Sequence, residues 1–193
     1  MPAAEASASV YLVFGIQHLW HYPLTYAGAL NAIMALSWSL SQFTLSSLDR
    51  GGLRLHAIRL GPVMLVAGLL GLVAAFRFID LATLVVAQLL IGSAFGIVWG
   101  CLSQALMEIA PDEERYATSA LLPTLYSAGF AIGAALMGLI GNLAGFASAR
   151  ADGDLQHALI VVFSCASALA IGALIAGIRI VTLLRRAPPS PPK

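Results

Sequence analysis

Hydrophobic runs long enough to cross a bilayer recur along the chain, separated by short polar stretches. A spanning helix takes about 20 mainly apolar residues, and irregular backbone cannot face lipid. The pattern predicts six helical segments, at about 3–20, 24–48, 60–76, 81–107, 117–146 and 157–184. The first becomes strongly apolar only at Val10 and carries Glu5 near its start, as a shortened helix would. The turn His21-Tyr22-Pro23 precedes the second segment, where a proline can open a helix because its missing N–H would be unpaired anyway. The cluster Trp20, His21, Tyr22 and Tyr26 suits a membrane interface. Residues 49–59 read as a basic loop, 77–80 as a tight polar turn, 109–116 as an acidic hinge and 147–156 as a polar loop. Residues 187–193, rich in proline, cannot continue a helix and read as a disordered tail.

Apolar residues make up 60% of the 193 and charged residues 10%, against roughly 45–50% and 25% in soluble domains. The chain therefore reads as an all-α, polytopic membrane bundle. Its net charge of +1 hides an asymmetric distribution. With the 49–59 loop in the cytoplasm, Arg50, Arg54, Arg59, Arg115, Arg179, Arg185, Arg186 and Lys193 fall inside and only Arg77 and Arg150 outside. Arginine and lysine bias sets orientation, so both termini are expected in the cytoplasm. No signal peptide is expected from residues 1–9, which lack a basic start and a cleavage motif.

Projection at 100 degrees per residue assigns faces to the segments. Asn31, Trp38 and Gln42 share one stripe of the second, and Gln88, Phe95, Trp99 and Ser103 line up on the fourth. The fifth presents Thr124, Ser127, Ala131, Ala134, Gly138, Gly141 and Gly145, with Gly129 and Gly133 opposite. Gln17 is the polar residue within the apolar run of the first. Amides in hydrocarbon must find a partner or water, so Asn31, Gln42 and Gln88 point either to another helix or into a wet cavity. Trp38 and Trp99 lie deep in their helices, where they line a cavity or pack a core. The candidate cavity wall is thus Gln17, Asn31, Trp38, Gln42, Gln88, Trp99, Ser103, Thr124 and Ser127. Gly92, Gly96, Gly100, Gly129, Gly133, Gly138, Gly141 and Gly145 are read as helix-packing positions, because small residues let membrane helices approach closely.

Other chemistry recedes. No nucleophile elbow, paired intramembrane aspartates or zinc-protease motif is present, so catalysis is not expected. Cys101 and Cys165 sit in mid-segment, which does not favour a disulfide or a metal site, and no cofactor is expected. Nothing points to nucleic acid. The acids read as lying near segment ends or in loops, so no mid-membrane proton carrier is expected in this chain.

The run Glu113-Glu114-Arg115-Tyr116-Ala117-Thr118-Ser119-Ala120, then Pro123-Thr124-Leu125, then Gly129-Phe130-Ala131-Ile132-Gly133-Ala134-Ala135-Leu136-Met137-Gly138, resembles the loop and eleventh helix of major facilitator superfamily transporters, multidrug:proton antiporters above all. Tyr22-Pro23-Leu24-Thr25-Tyr26-Ala27-Gly28 is similar to the start of that family's eighth helix, and Asp49-Arg50-Gly51-Gly52-Leu53-Arg54 to its next basic loop. The resemblance implies that residues 1–186 form the C-terminal half, helices 7 to 12, and that the first, second, fourth and fifth segments line the cavity. It also implies proton-coupled efflux of a small molecule from a bacterial inner membrane. The expected partners are the lipid bilayer, the substrate, and either a missing N-terminal half or a second copy, since alternating access rocks one half against another. A standalone six-helix scaffold without transport is the alternative expectation.

Overall fold

A computed structural model describes residues 1–46 and 51–186, so the proline-rich tail and the Asp49-Arg50 part of the basic loop lie outside the described residues. The described chain forms six α-helices: α1 (Pro2–Leu19), α2 (Leu24–Ser46), α3 (Gly51–Phe78), α4 (Leu81–Ile109), α5 (Arg115–Leu143) and α6 (Asp152–Arg186). Single 3₁₀ turns at Asp112–Glu114 and Phe146–Ser148 flank α5. Four helices contain stretches long and apolar enough to span a bilayer: Arg59–Phe78, Leu81–Gln104, Ala117–Leu143 and Asp152–Ala176. The remaining pair is diluted by polar groups, with Glu5, Ser7, Ser9 and Gln17 on α1 and Asn31, Ser37, Ser39, Ser41 and Gln42 on α2.

Helix ends depart from the hydropathy reading in an instructive way. Residues 51–59, expected as loop, form the first turns of α3. Hydropathy excludes Arg54 and Arg59 from hydrocarbon, but leucine, arginine and alanine are good helix formers, and a helix can continue past the apolar layer. Likewise α6 starts at Asp152 rather than near residue 157, with Asp152 and Asp154 in its first turn, where carboxylates favour the positive end of the helix dipole. Between α3 and α4, Asp80 caps α4 by accepting a hydrogen bond from Thr83 N at 2.8 Å and another from the Thr83 hydroxyl. These bonds hold the Asp80 carboxyl below its ordinary pKa. After α5, Gly145 takes φ +89°, a left-handed conformation that favours glycine and ends the helix before residue 146.

Packing follows from where small residues let backbones meet. A Cβ on Gly92 would lie 2.1 Å from Met34 O, and one on Gly96 would lie 2.4 Å from Trp38 O. Since 34 pairs with 92 and 38 with 96, α2 and α4 run parallel. On the other side of α4, Gly61, Gly68 and Gly71 of α3 meet Val98, Ile91 and Ala87, an antiparallel pairing. The main core joins α1, α3, α4 and α6 through Leu12, Ile16, Leu69, Phe76, Ile91 and Phe163, all fully buried. Phe76 stacks on Phe163 at 5.1 Å, and Gln156 Nε2 donates to Phe76 O at 2.7 Å, tying α6 to the end of α3.

The α1–α5 pair places α1 in depth. Pro2 lies against Gly129, Ala3 backbone against Gly133, and Tyr11 against Gly141, so the helices are parallel and α1 begins level with the middle of α5. Tyr11 Oη closes the pair by donating to Met137 O at 3.2 Å. One consequence corrects the sequence expectation about acids. Glu5 stands near the start of its own helix yet at mid-depth of the bundle, where it is only 3% exposed.

Candidate functional site

Three helices deliver aromatic side chains to one place. Trp38 on α2, Trp99 and Phe95 on α4, and Tyr126 on α5 form a cluster, with Trp38–Trp99 centroids 6.4 Å apart and Trp38–Phe95 5.3 Å. Tyr126 sits at its centre, 5.9 Å from Trp38, 5.7 Å from Trp99 and 6.2 Å from Phe95, meeting all three edge-on. Phe130, one turn further along α5, stacks on Tyr126 at 6.1 Å. Ring pairs at such separations gain from quadrupole alignment as well as from burial. The close α2–α4 approach at Gly96 positions Trp38 beside Trp99, because that contact is to the Trp38 carbonyl itself.

An open cavity of about 280 Å³ adjoins the cluster, lined by Met1, Pro2, Phe95, Val98, Trp99, Leu102, Leu122, Leu125 and Tyr126. Its lining side chains are apolar apart from the phenol of Tyr126. The Tyr126 hydroxyl donates to Glu5 Oε2 at 3.2 Å, while Ser9 Oγ donates to Glu5 Oε1. A carboxylate is thus held behind the aromatic wall by two neutral donors.

The sequence-derived wall residues distribute unevenly around this site. Trp99 lines the cavity and Trp38 completes the ring cluster behind it. Gln88 is fully buried on α4, and neither its Oε1 nor its Nε2 has a hydrogen-bond partner; the Asn31 Oδ1 on α2 is in the same condition. Both amides lie on the α2–α4 pair, where Ser37 Oγ bonds to Met34 O at 2.9 Å and reaches Gln88 O at 3.5 Å. Gln42 is half-buried over Gly100. Ser103 and Gln17 are half-buried as well, and neither belongs to the aromatic cluster or the cavity lining. Thr124 and Ser127 are on the exposed side of α5, Thr124 Oγ1 bonding back to Ala120 O at 2.7 Å.

The glycines also divide. Gly92, Gly96, Gly133 and Gly141 are in close contact with α2 or α1, and Gly129 is in ordinary contact with Pro2. Gly100 has a distant neighbour at 3.9 Å, Gly138 has none within 4 Å, and Gly145 serves the turn. Sequence reasoning missed Tyr126, Phe130 and Glu5 as site members. The i, i+4 pair Tyr126–Phe130 was a visible signal for an aromatic stripe on α5, whereas nothing local marks Glu5.

No family model matches the chain, and no solved structure matches it. Two curated proteins do, probable multidrug-efflux transporters from two strains of Mycobacterium tuberculosis, each 29% identical over 156 residues. The match covers 78% of this chain and 33% of each relative, so the chain spans about a third of their length. Fold and similarity together support an integral membrane helical bundle.

Proposed function

We propose that the chain forms helices 7 to 12 of a major facilitator superfamily transporter and supplies one wall of its substrate cavity, working in proton-coupled efflux of small amphipathic molecules from a bacterial inner membrane. The observation that carries this reading is the Trp38–Trp99–Tyr126 cluster beside an apolar cavity, on helices where the resemblance expects the cavity. Flat aromatic walls suit apolar, aromatic ligands of varied shape, and the unpartnered Asn31 Oδ1 and Gln88 amide on the neighbouring α2–α4 pair can take up water. The similarity to probable multidrug-efflux transporters points the same way. Transport by rocking bundles needs a second six-helix unit, and a complementary half or a second copy of the chain is its proposed source. Residues 1–186 act as one domain, with both termini on the cytoplasmic side.

The test is flux into liposomes reconstituted with the purified chain, alone and together with any complementary half that copurifies with it, under an imposed pH gradient. Gradient-dependent movement of a fluorescent amphipathic dye, with an altered dye profile in Trp38→Ala and Trp99→Ala, is the expected result. Stable association without flux in either preparation would instead favour a scaffold.

A further inference from the structure

Two helices leave the apolar layer together at one end of the bundle. Gln156 and Phe163 of α6 both meet Phe76 of α3, and the fully buried positions then run in opposite directions, from Phe76 back to Leu65 on α3 and from Leu159 on to Ala170 on α6. Continued, that antiparallel register brings Arg59 level with Ala176. The apolar spans Arg59–Phe78 and Asp152–Ala176 stop at the same two residues. Both helices nevertheless go on, α3 reaching back to Gly51 and α6 out to Arg186. The headgroup layer adds roughly 5–8 Å to each side of the hydrocarbon core. Arg59 stands at its inner edge and Arg179 about 4.5 Å beyond Ala176, both within it, whereas Arg185 and Arg186 lie about 14 Å out, in water.

Arg59 is half-buried, and its buried Nε has no hydrogen-bond partner among the described residues. A guanidinium N–H withdrawn from water needs an acceptor, and its planar fork matches phosphate oxygens. Arg179 is exposed on the neighbouring helix. Helices in contact lie about 8–10 Å apart, so two arginine side chains can meet on one anion. Neither 51–59 nor 177–186 contains an acid. The acids of this end are Asp49, outside the described residues, and Glu108 and Asp112–Glu114, which close α4 and lead into α5. Just inside the arginines, Leu60 and Val63 on α3 and Ile171 and Ile175 on α6 are exposed, a surface for acyl chains.

We propose that Arg59 and Arg179 form a binding site for the phosphate of an anionic phospholipid at the α3–α6 edge, its acyl chains lying along the exposed leucine, valine and isoleucine side chains below. Basic groups between helices at headgroup depth suit such a lipid, and the adjoining apolar surface selects it over a soluble anion. The site rests on the membrane bundle alone and is independent of the transport reading.

Native mass spectrometry of the purified full-length chain in dodecyl maltoside resolves single lipid adducts. Dioleoylphosphatidylglycerol and dioleoylphosphatidylcholine share their acyl chains and differ in net charge. Titrated separately, the first phosphatidylglycerol is expected to bind at least about fivefold more tightly than phosphatidylcholine. Arg59→Gln and Arg179→Gln are each expected to lower phosphatidylglycerol affinity about threefold and to leave phosphatidylcholine binding unchanged. Arg77→Gln, at the opposite end, and Arg185→Gln, further out on α6, remove the same charge and are expected to change it by less than about 1.5-fold. Should circular dichroism show Arg59→Gln unfolded, Arg179→Gln decides, because that side chain is exposed. Equal affinity of the native chain for the two lipids would overturn the proposal. Equal losses in the near and distant arginine variants would overturn it as well, by making net charge the cause. So would displacement of bound phosphatidylglycerol by glycerol 1-phosphate at equal concentration, which would mark a site for soluble anions.

Discussion

The α3–α4–α6 side of the bundle and the α1–α5 side solve the same problem, burying helices in an apolar medium, with different completeness. The spanning stretch of α4 is 50% buried within the protein, and that of α5 only 11%. On the first side, Leu69, Phe76, Ile91 and Phe163 interlock with no exposed surface. On the second, Leu125, Ile132 and Leu139 all stand open on α5, and the carboxylate, the tyrosine and the cavity lie beside them. Buried polar groups occur on both sides, Gln88 in the tight one and Glu5 beside the open face of α5. The tight side works as a frame, and the open side is where a ligand or another helical body can be met.

The largest expected effect is on the frame. Gly92→Leu would drive a side chain into the Met34 carbonyl and Ser37, which cannot move without shifting α2, so a loss of more than about 3 kcal/mol or failure to assemble is expected in detergent unfolding. Gly138→Ala is the control on the open side. With nothing within 4 Å, it should change stability by less than about 1 kcal/mol, on the favourable side because alanine is the better helix former. Equal damage from both substitutions would break the distinction.

Next is Trp99→Ala, which removes a cavity wall from the α4 face that meets Tyr126. A loss of about tenfold in affinity for an amphipathic dye is expected, with the helical circular dichroism spectrum retained. Gln88→Leu replaces a fully buried amide that lacks partners by a group of similar size. Thermal unfolding should show a gain of about 1 kcal/mol, and a loss of that size would mean that the amide is satisfied in the membrane. The smallest effect belongs to Asp80. Its carboxyl is held below its ordinary value by Thr83, so its capping contribution is full above pH 3.8 and fades as the pH falls through the lowered folded-state value. Asp80→Asn should therefore lower the melting temperature slightly at neutral pH, and the difference from the native chain should shrink in strong acid.

How much of this was legible in the sequence depends on the range of the interaction. Apolar runs located all six helices, because burying them in lipid is a local requirement. They did not locate the starts of α3 and α6, since Arg54, Arg59, Asp152 and Asp154 are set by helix propensity and dipole rather than by hydropathy. Trp38 and Trp99 were readable as a pair from their depth. Tyr126 and Glu5 were not, as their bond joins positions 121 residues apart and depends on α1 starting at mid-depth of α5. Thr124 and Ser127 show the limit of helical projection. It finds a weakly polar face but does not say whether another element covers it.

Tryptophan fluorescence tests the central claim most directly. In a Trp20→Phe chain only Trp38 and Trp99 remain as indole reporters, since the sequence holds 3 tryptophans. Titration with a quenching amphipathic dye is expected to give saturable loss of their emission, reversed by a non-quenching competitor. A folded protein whose emission falls only in proportion to dye concentration, without saturation or competition, would contradict the assignment of the Trp38–Trp99–Tyr126 cluster as a ligand-binding wall.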